Sequence, residues 1–291
     1  MINRREMLKT SAAAVGAAAF PLGWVGAAET EKPRKLLYFT RNVGFYHSVV
    51  VRKGDQLSHS EKTLTDLGTK HGFEVTCTKD GTIFDGDISQ YDAIGLYCNG
   101  DLTKPNPQKE PPMTPEGVKK LMAAVEGGKG LIAFHSTCNC WRTAGPAVNG
   151  VDPFIALLGA GFVSHGPQQK ATMRITDPAF PGLKDLGDKF EMLEEWYAMK
   201  EFDKDLHVLI VQDTEGMKGP HYQRPPYPST WARMQGKGRV YFTSMAHREN
   251  VWASDPFQQI VLGGLSWVFG NVAADVKPNV EQVTPKAWDL K

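Results

Sequence analysis

Short apolar runs alternate with helical patterns along the first half of the chain. Residues 35–40 (KLLYFT) form one such run and predict a strand. Residues 53–71 place Leu57, Leu64 and Leu67 on one face and stop at Gly72, which predicts a helix. Residues 73–78 predict a second strand. Residues 91–98 (YDAIGLYC) predict a third, nearly continuous in apolar residues, as strands covered on both faces are. After a Pro-rich polar loop over 99–112, residues 114–126 predict a helix with Thr114 as its N-cap and Pro115 in its first turn. Residues 129–134 (KGLIAF) predict the next buried strand. This β-α-β-β-α-β order implies an α/β fold with a mostly parallel sheet wrapped by helices.

Beyond residue 142 the rhythm changes. A short helix is expected over 152–158 and strands over 169–176 and 207–212. Residues 227–234 and 238–244 flank a Gly236-Lys237-Gly238 turn and predict a hairpin. Residues 256–269 predict a last helix. The tail, 271–291, reads as polar and loosely held.

The first residues do not continue this pattern. Arg4-Arg5 opens an N-terminal stretch that passes into an apolar Ala/Val/Gly run and ends in Gly26-Ala27-Ala28. That is the layout of a twin-arginine export signal over residues 1–28, with cleavage near its end. Gly16, Pro21 and Gly23 interrupt the run, which makes it a poor membrane anchor. The α/β domain then spans 33–270, and export to the periplasm or beyond is the expected location. With 33 basic and 32 acidic residues, net charge +1, the chain offers no electrostatic case for nucleic acid or an anionic membrane. Cys77, Cys98, Cys138 and Cys140 are too few for a disulfide scaffold, and the C-x-C pair lacks a second pair at zinc-ligand spacing.

The chemistry-bearing residues sit just past strands. His135 ends the 129–134 strand, His47 follows the first strand by one loop, and Asn99 and Asp101 follow the third. His247 ends the hairpin, His165 lies in a Gly/Pro loop, and Glu194-Glu195 lies in an apolar run. In an open α/β sheet, ligands bind at the carboxyl ends of the strands, so these loops converge on one cleft. A lone His135 would be read as structural; a group of histidines and a carboxylate is different. It suits either a divalent metal such as zinc held by imidazoles and a carboxylate, or metal-free proton transfer by His and Glu. Adjacent residues of a strand face opposite ways, so at most one of Glu194 and Glu195 is expected in the site. Ser136 lies outside any G-x-S-x-G elbow, and Cys138 stands past the strand end, which disfavours a nucleophile there.

Five segments, GFYH (44–47), YDAIGLYCNGD (91–101), GKGLIAFHS (128–136), EEWY (194–197) and TWARMQGKGRVYFTSMAHRENVW (230–252), resemble the ThuA-like family, named for trehalose utilisation. The resemblance implies a class I glutamine amidotransferase-like fold, a flavodoxin-like sheet with added strands and a hairpin. It also implies a place in glycoside or disaccharide catabolism, in some relatives beside 3-keto sugars. It puts histidines at His47, His135 and His247, an acid at Glu195 and a Tyr at Tyr197. Glutamine amidotransfer is not implied, because His135 occupies the elbow position that a Cys holds in those enzymes.

The expectation is an exported protein acting on a glycoside, disaccharide or keto-sugar by His/Glu acid-base chemistry, with or without a metal. His135, His247, His47 and Glu195 are the candidate catalytic or ligating group. Asn99, Asp101 and His165 are expected to bind substrate, with Tyr197 and Trp231 shaping the pocket. A non-catalytic saccharide-binding module and a metal-dependent hydrolase of another substrate are the alternatives.

Overall fold

The computed structural model describes residues 32–141 and 150–289. The expected export signal lies outside them. Among the described residues no helix is long and apolar enough to cross a membrane.

The first half follows the apolar pattern. Strand β1 (Arg34–Phe39) leads to α1 (His59–His71), β2 (Phe73–Thr78), β3 (Ala93–Leu96), α2 (Pro115–Glu126) and β4 (Gly130–Phe134). Helix α1 starts six residues later than its pattern suggested, because Ser58 and Glu61 form a reciprocal capping box that sets its first turn. Helix α2 begins as expected, with the Thr114 hydroxyl accepting from Gly117 N–H and Pro115 following.

The second half holds α3 (Pro153–Leu158), β5 (Gly161–His165), β6 (Gln169–Ile175), β7 (Lys189–Glu194), β8 (Tyr197–Lys200), β9 (His207–Gln212), β10 (Tyr227–Gln235) and β11 (Gly238–Thr243). It closes with α4 (Glu249–Trp252), α5 (Asp255–Val268) and α6 (Val280–Val283).

Nine strands form one sheet in the order β2-β1-β3-β4-β11-β10-β9-β6-β7. The first five are mutually parallel, and their order is that of a flavodoxin-like sheet. The other four continue antiparallel from β11, so the added part is larger than the expected hairpin alone. Alternation along β1 divides the core. Leu36 and Tyr38 face a cluster with α1 and α5, while Leu37 and Phe39 face a second cluster with α2 and α3. β5 and β8 make a separate two-stranded ribbon, with His165 opposite Tyr197.

The tail is docked, contrary to the polar, loose segment expected. The Asn279 side chain pairs with the backbone of Val208 on β9, and Trp288 Nε1 donates to Phe202 O at 2.9 Å. Val280 and Ala287 are buried. Its few apolar residues are widely spaced, so no periodic pattern announced the contact.

Candidate active site

The parallel strands β1, β3, β4 and β11 end at one edge of the sheet. β7 is reached from β11 through four antiparallel pairings, so it ends at that edge too. The loops past these ends bring His47, His135, His247 and Glu195 together, with one ligand atom from each all within 4.8 Å of one another.

His135 occupies a strained elbow. Its φ is +43°, a conformation uncommon for any residue with a Cβ. β4 ends at Phe134 and a 3-10 turn over His135–Asn139 follows without a linker. The hydroxyls next in sequence pin this turn to β3. Ser136 Oγ donates to Cys98 O at 2.9 Å, and Thr137 Oγ1 bonds to Leu96 O and Phe134 O at 2.9 and 2.8 Å. No disulfide joins Cys77, Cys98, Cys138 or Cys140, and Cys138 Sγ donates to His135 O at 3.2 Å.

Ser244 O lies 2.7 Å from His135 Nδ1. A carbonyl only accepts, so Nδ1 carries the proton and Nε2 turns a lone pair inward. Glu195 Oε2 is 3.5 Å from that lone pair, 3.8 Å from His47 Nε2 and 3.1 Å from His247 Nδ1. His247 Nδ1 is itself 3.4 Å from His135 Nε2. Burial pushes His135 down to about 3 and His47 below its ordinary value, so both imidazoles are neutral. Burial raises Glu195, but the side chains of His135, His247 and His47 outweigh that and hold it well below the usual carboxylate range. His135 Nε2 and His247 Nδ1 thus converge on Glu195 Oε2, at 3.5 and 3.1 Å. Among the described residues the buried His47 Nδ1 has no hydrogen-bond partner, and its Nε2 lies 3.4 Å from Tyr197 Oη.

This donor set suits a cation. Ligands about 2.0–2.1 Å from a tetrahedral zinc ion stand about 3.3 Å from one another; the three distances to Glu195 Oε2 and that from His135 to His247 run from 3.1 to 3.8 Å, with all four atoms within 4.8 Å. A larger ion with five or six ligands would be held by the same four atoms and keep positions open. On the outer side of His247, Gln168 Nε2 is 2.9 Å from Nε2, and Arg248 Nη1 donates to Gln168 Oε1. With that oxygen taken, the amide donates to His247 and leaves its proton on Nδ1, facing Glu195. For His247 to hold an ion through Nδ1, that proton would move to Nε2 and the Gln168 amide would turn to accept it.

Glu194, which sequence reasoning left undecided, organises the site from behind. Its Oε1 accepts from Ala246 N–H at 2.8 Å and His247 N–H at 2.6 Å, and its Oε2 from Glu195 N–H at 3.1 Å. Burial pushes its carboxyl up to about 7, against these backbone donors. Ala246 has φ +103°, and its carbonyl accepts from Tyr97 Oη at 3.0 Å and Trp252 Nε1 at 2.8 Å. One buried carboxylate thus fixes the backbone of two of the four clustered residues. Ser244, Tyr97 and Gln168 also escaped sequence reasoning, since none carries chemistry alone.

His165 and Tyr197 stand beside the cluster. His165 Nδ1 is 3.3 Å from Glu195 Oε1, and the Tyr197 ring lies 4.1 Å from that of His135. Other expectations need correction. Trp231 does not shape the site: its ring is fully buried, stacked 4.4 Å from Phe242, with Nε1 donating to Leu158 O. Asp101, expected to bind substrate, turns its Oδ1 to its own turn, accepting from Thr103 N–H and Oγ1 at 3.0 and 2.7 Å. Asn99 is buried; its Oδ1 accepts from Asn139 Nδ2 and its carbonyl from Val43 N–H.

Fold and site together define an α/β protein with a glutamine amidotransferase-like sheet whose elbow carries a histidine. A family profile described as ThuA, trehalose utilisation, matches residues 36–268. The chain belongs to the ThuA family, and its link to carbohydrate use comes with that family. No curated protein matches it. Among solved structures it is similar to a ThuA-like protein from Parabacteroides merdae (18% identity, 84% of this chain and 92% of that one, TM-score 0.64). Another from Bacteroides uniformis shares 17% identity over 84% and 94%, with TM-score 0.57. A cytoplasmic protein from Salmonella typhimurium shares 11% over 80% and 98%, with TM-score 0.53. At these identities the likeness concerns the fold.

Proposed function

We propose that this chain is an exported enzyme of carbohydrate metabolism that acts on a glycoside, disaccharide or keto-sugar, with His47, His135, His247 and Glu195 holding a divalent metal ion. The observation that carries this reading is the convergence of His47, His135, His247 and Glu195, one donor atom from each within 4.8 Å of the others, in a largely buried setting. Gathering three imidazoles and a carboxylate away from water is costly unless a shared partner such as a cation compensates it.

A bound divalent ion supplies Lewis acidity toward a carbonyl or hydroxyl oxygen. The chain's own groups do the rest. The imidazoles of His47 and His135, both buried, hold their nitrogens in place and keep water from the back of the site. Glu195 turns Oε2 to the imidazoles and Oε1 to His165. His165 Nδ1 has two acceptors, Glu195 Oε1 and Gly166 O, so its proton sits there and Nε2 stays free. Its side chain is 44% exposed, which lets Nε2 take a proton from a sugar hydroxyl or an acidified C–H and pass it to solvent.

Turnover of a panel of disaccharides and their keto derivatives tests the reading. Wild-type protein is expected to convert at least one member and to lose activity in His135→Ala and His247→Ala. Wild-type rates in both variants, with folding intact, would sink it. Saccharide binding with no product across the panel would instead favour a binding module.

A further inference from the structure

Phe45 is 61% exposed, yet it touches the candidate centre. Its ring centroid lies 4.8 Å from that of His47, at 76° between planes. His47 in turn is 4.8 Å from His135 and 5.0 Å from His247 by ring centroids. A single apolar side chain in solvent needs no explanation. This one is presented by a braced loop. Val43 N–H donates to Asn99 O at 2.7 Å on one side, and Tyr46 Oη donates to Asn42 O at 2.6 Å on the other. Between them Gly44 takes φ +101°, a conformation glycine adopts without strain, and no atom lies within 4 Å of where its Cβ would be. The chain therefore moves from an exposed ring at Phe45 to a buried imidazole at His47 within two residues. Gly100 packs against this loop so closely that a Cβ would clash with Val43 O.

A sugar ring has a rim of hydroxyls and a face of C–H groups. The cluster and His165 offer partners for the oxygens, and Phe45 offers an open aromatic surface one ring away. We propose that Phe45 is the stacking platform that receives the C–H face of the sugar and so determines which rings the site accepts. This inference rests on the saccharide reading above. The competing role for Phe45 is a cover that keeps water from the edge of His47, and any apolar side chain of similar size could fill that role.

Calorimetric titration and saturation-transfer NMR with trehalose and a keto derivative of it separate the two. The full mature protein is used, with metal content and melting temperature checked in each variant. The platform predicts saturation transfer from aromatic protons to sugar C–H protons in wild type. It predicts affinity roughly five- to tenfold weaker in both Phe45→Ala and Phe45→Leu, and affinity retained or improved in Phe45→Trp. Phe45→Leu equal to wild type would overturn the platform in favour of the cover, and Phe45→Ala equal to wild type would overturn both roles. In either case sugar binding by wild type leaves the saccharide reading standing. Failure of wild type to bind either sugar would overturn the platform and count against that reading as well.

Discussion

Glu194→Ala is the substitution that tests most sharply how the site is held. It removes the acceptor of three backbone N–H groups, those of Ala246, His247 and Glu195, without touching any residue of the cluster's side-chain chemistry. Each buried donor left without a partner costs about 1–3 kcal/mol. The three share one carboxylate and the loop can relax, so the combined loss comes to about 3–5 kcal/mol. Ala246 holds a left-handed φ of +103° within this arrangement, and releasing it returns some of that strain. A loss of this size lowers the melting temperature by about 10 °C in a chain this long. Glu194→Gln keeps one oxygen but turns an amide N–H toward a backbone N–H, and it should cost about 1–2 kcal/mol. Differential scanning calorimetry reads both variants, and metal titration reads the displacement of His247 and Glu195 as weakened binding. An alanine variant melting within about 2 °C of wild type, with unchanged metal affinity, would refute the assignment of Glu194 as the support of the site.

Two further outcomes follow. Burial raises the Glu61 carboxyl, but Arg52, Thr40 and the Ser58 N–H hold it below its ordinary value, with Arg52 bidentate at 2.7 and 2.9 Å. A carboxyl lowered on folding stabilises above its unfolded value, and that stability is lost as pH falls through the folded one. Stability should therefore decline below about pH 4.5, and Glu61→Gln should be less stable at pH 7 with a shallower acid limb in pH-dependent urea unfolding; an unaltered limb would deny Glu61 this role. Trp231→Ala should cost about 3–5 kcal/mol while leaving the metal affinity of folded protein unchanged, measured by urea unfolding and metal titration; a selective loss of metal affinity would return Trp231 to the site.

The fold was legible wherever burial on both faces writes continuous apolar runs. β3 and β4 are fully buried, and their runs in residues 91–98 and 129–134 were plain. Helix starts were legible when a cap was read, as at Thr114, and misplaced when one was overlooked, as at Ser58. In the site, residue type and position past a strand pointed to His47, His135, His247 and the Glu194-Glu195 pair, because parallel strands force their following loops to one edge, and the family resemblance singled out Glu195. The same rule also pointed to Asp101, whose carboxylate caps its own turn as well. Trp231 shows a failure: an aromatic on a strand reads alike whether it faces a cleft or the α3 side of the core. Glu194 lay hidden for a different reason. Two of its three backbone partners are 52 and 53 residues away, and backbone donors leave no trace in residue type. Phe45 was equally silent, because exposure beside a buried ring is a property of the folded loop.

The central claim is that three imidazoles and one carboxylate gather around a cation. Metal analysis by mass spectrometry, on protein prepared without a histidine tag and dialysed after exposure to divalent zinc, manganese and iron in turn, tests it directly. The account predicts one equivalent of a divalent ion retained per wild-type chain, with retention lost in His135→Ala and Glu195→Ala variants that still fold. Wild-type protein that retains none of the three ions would contradict it.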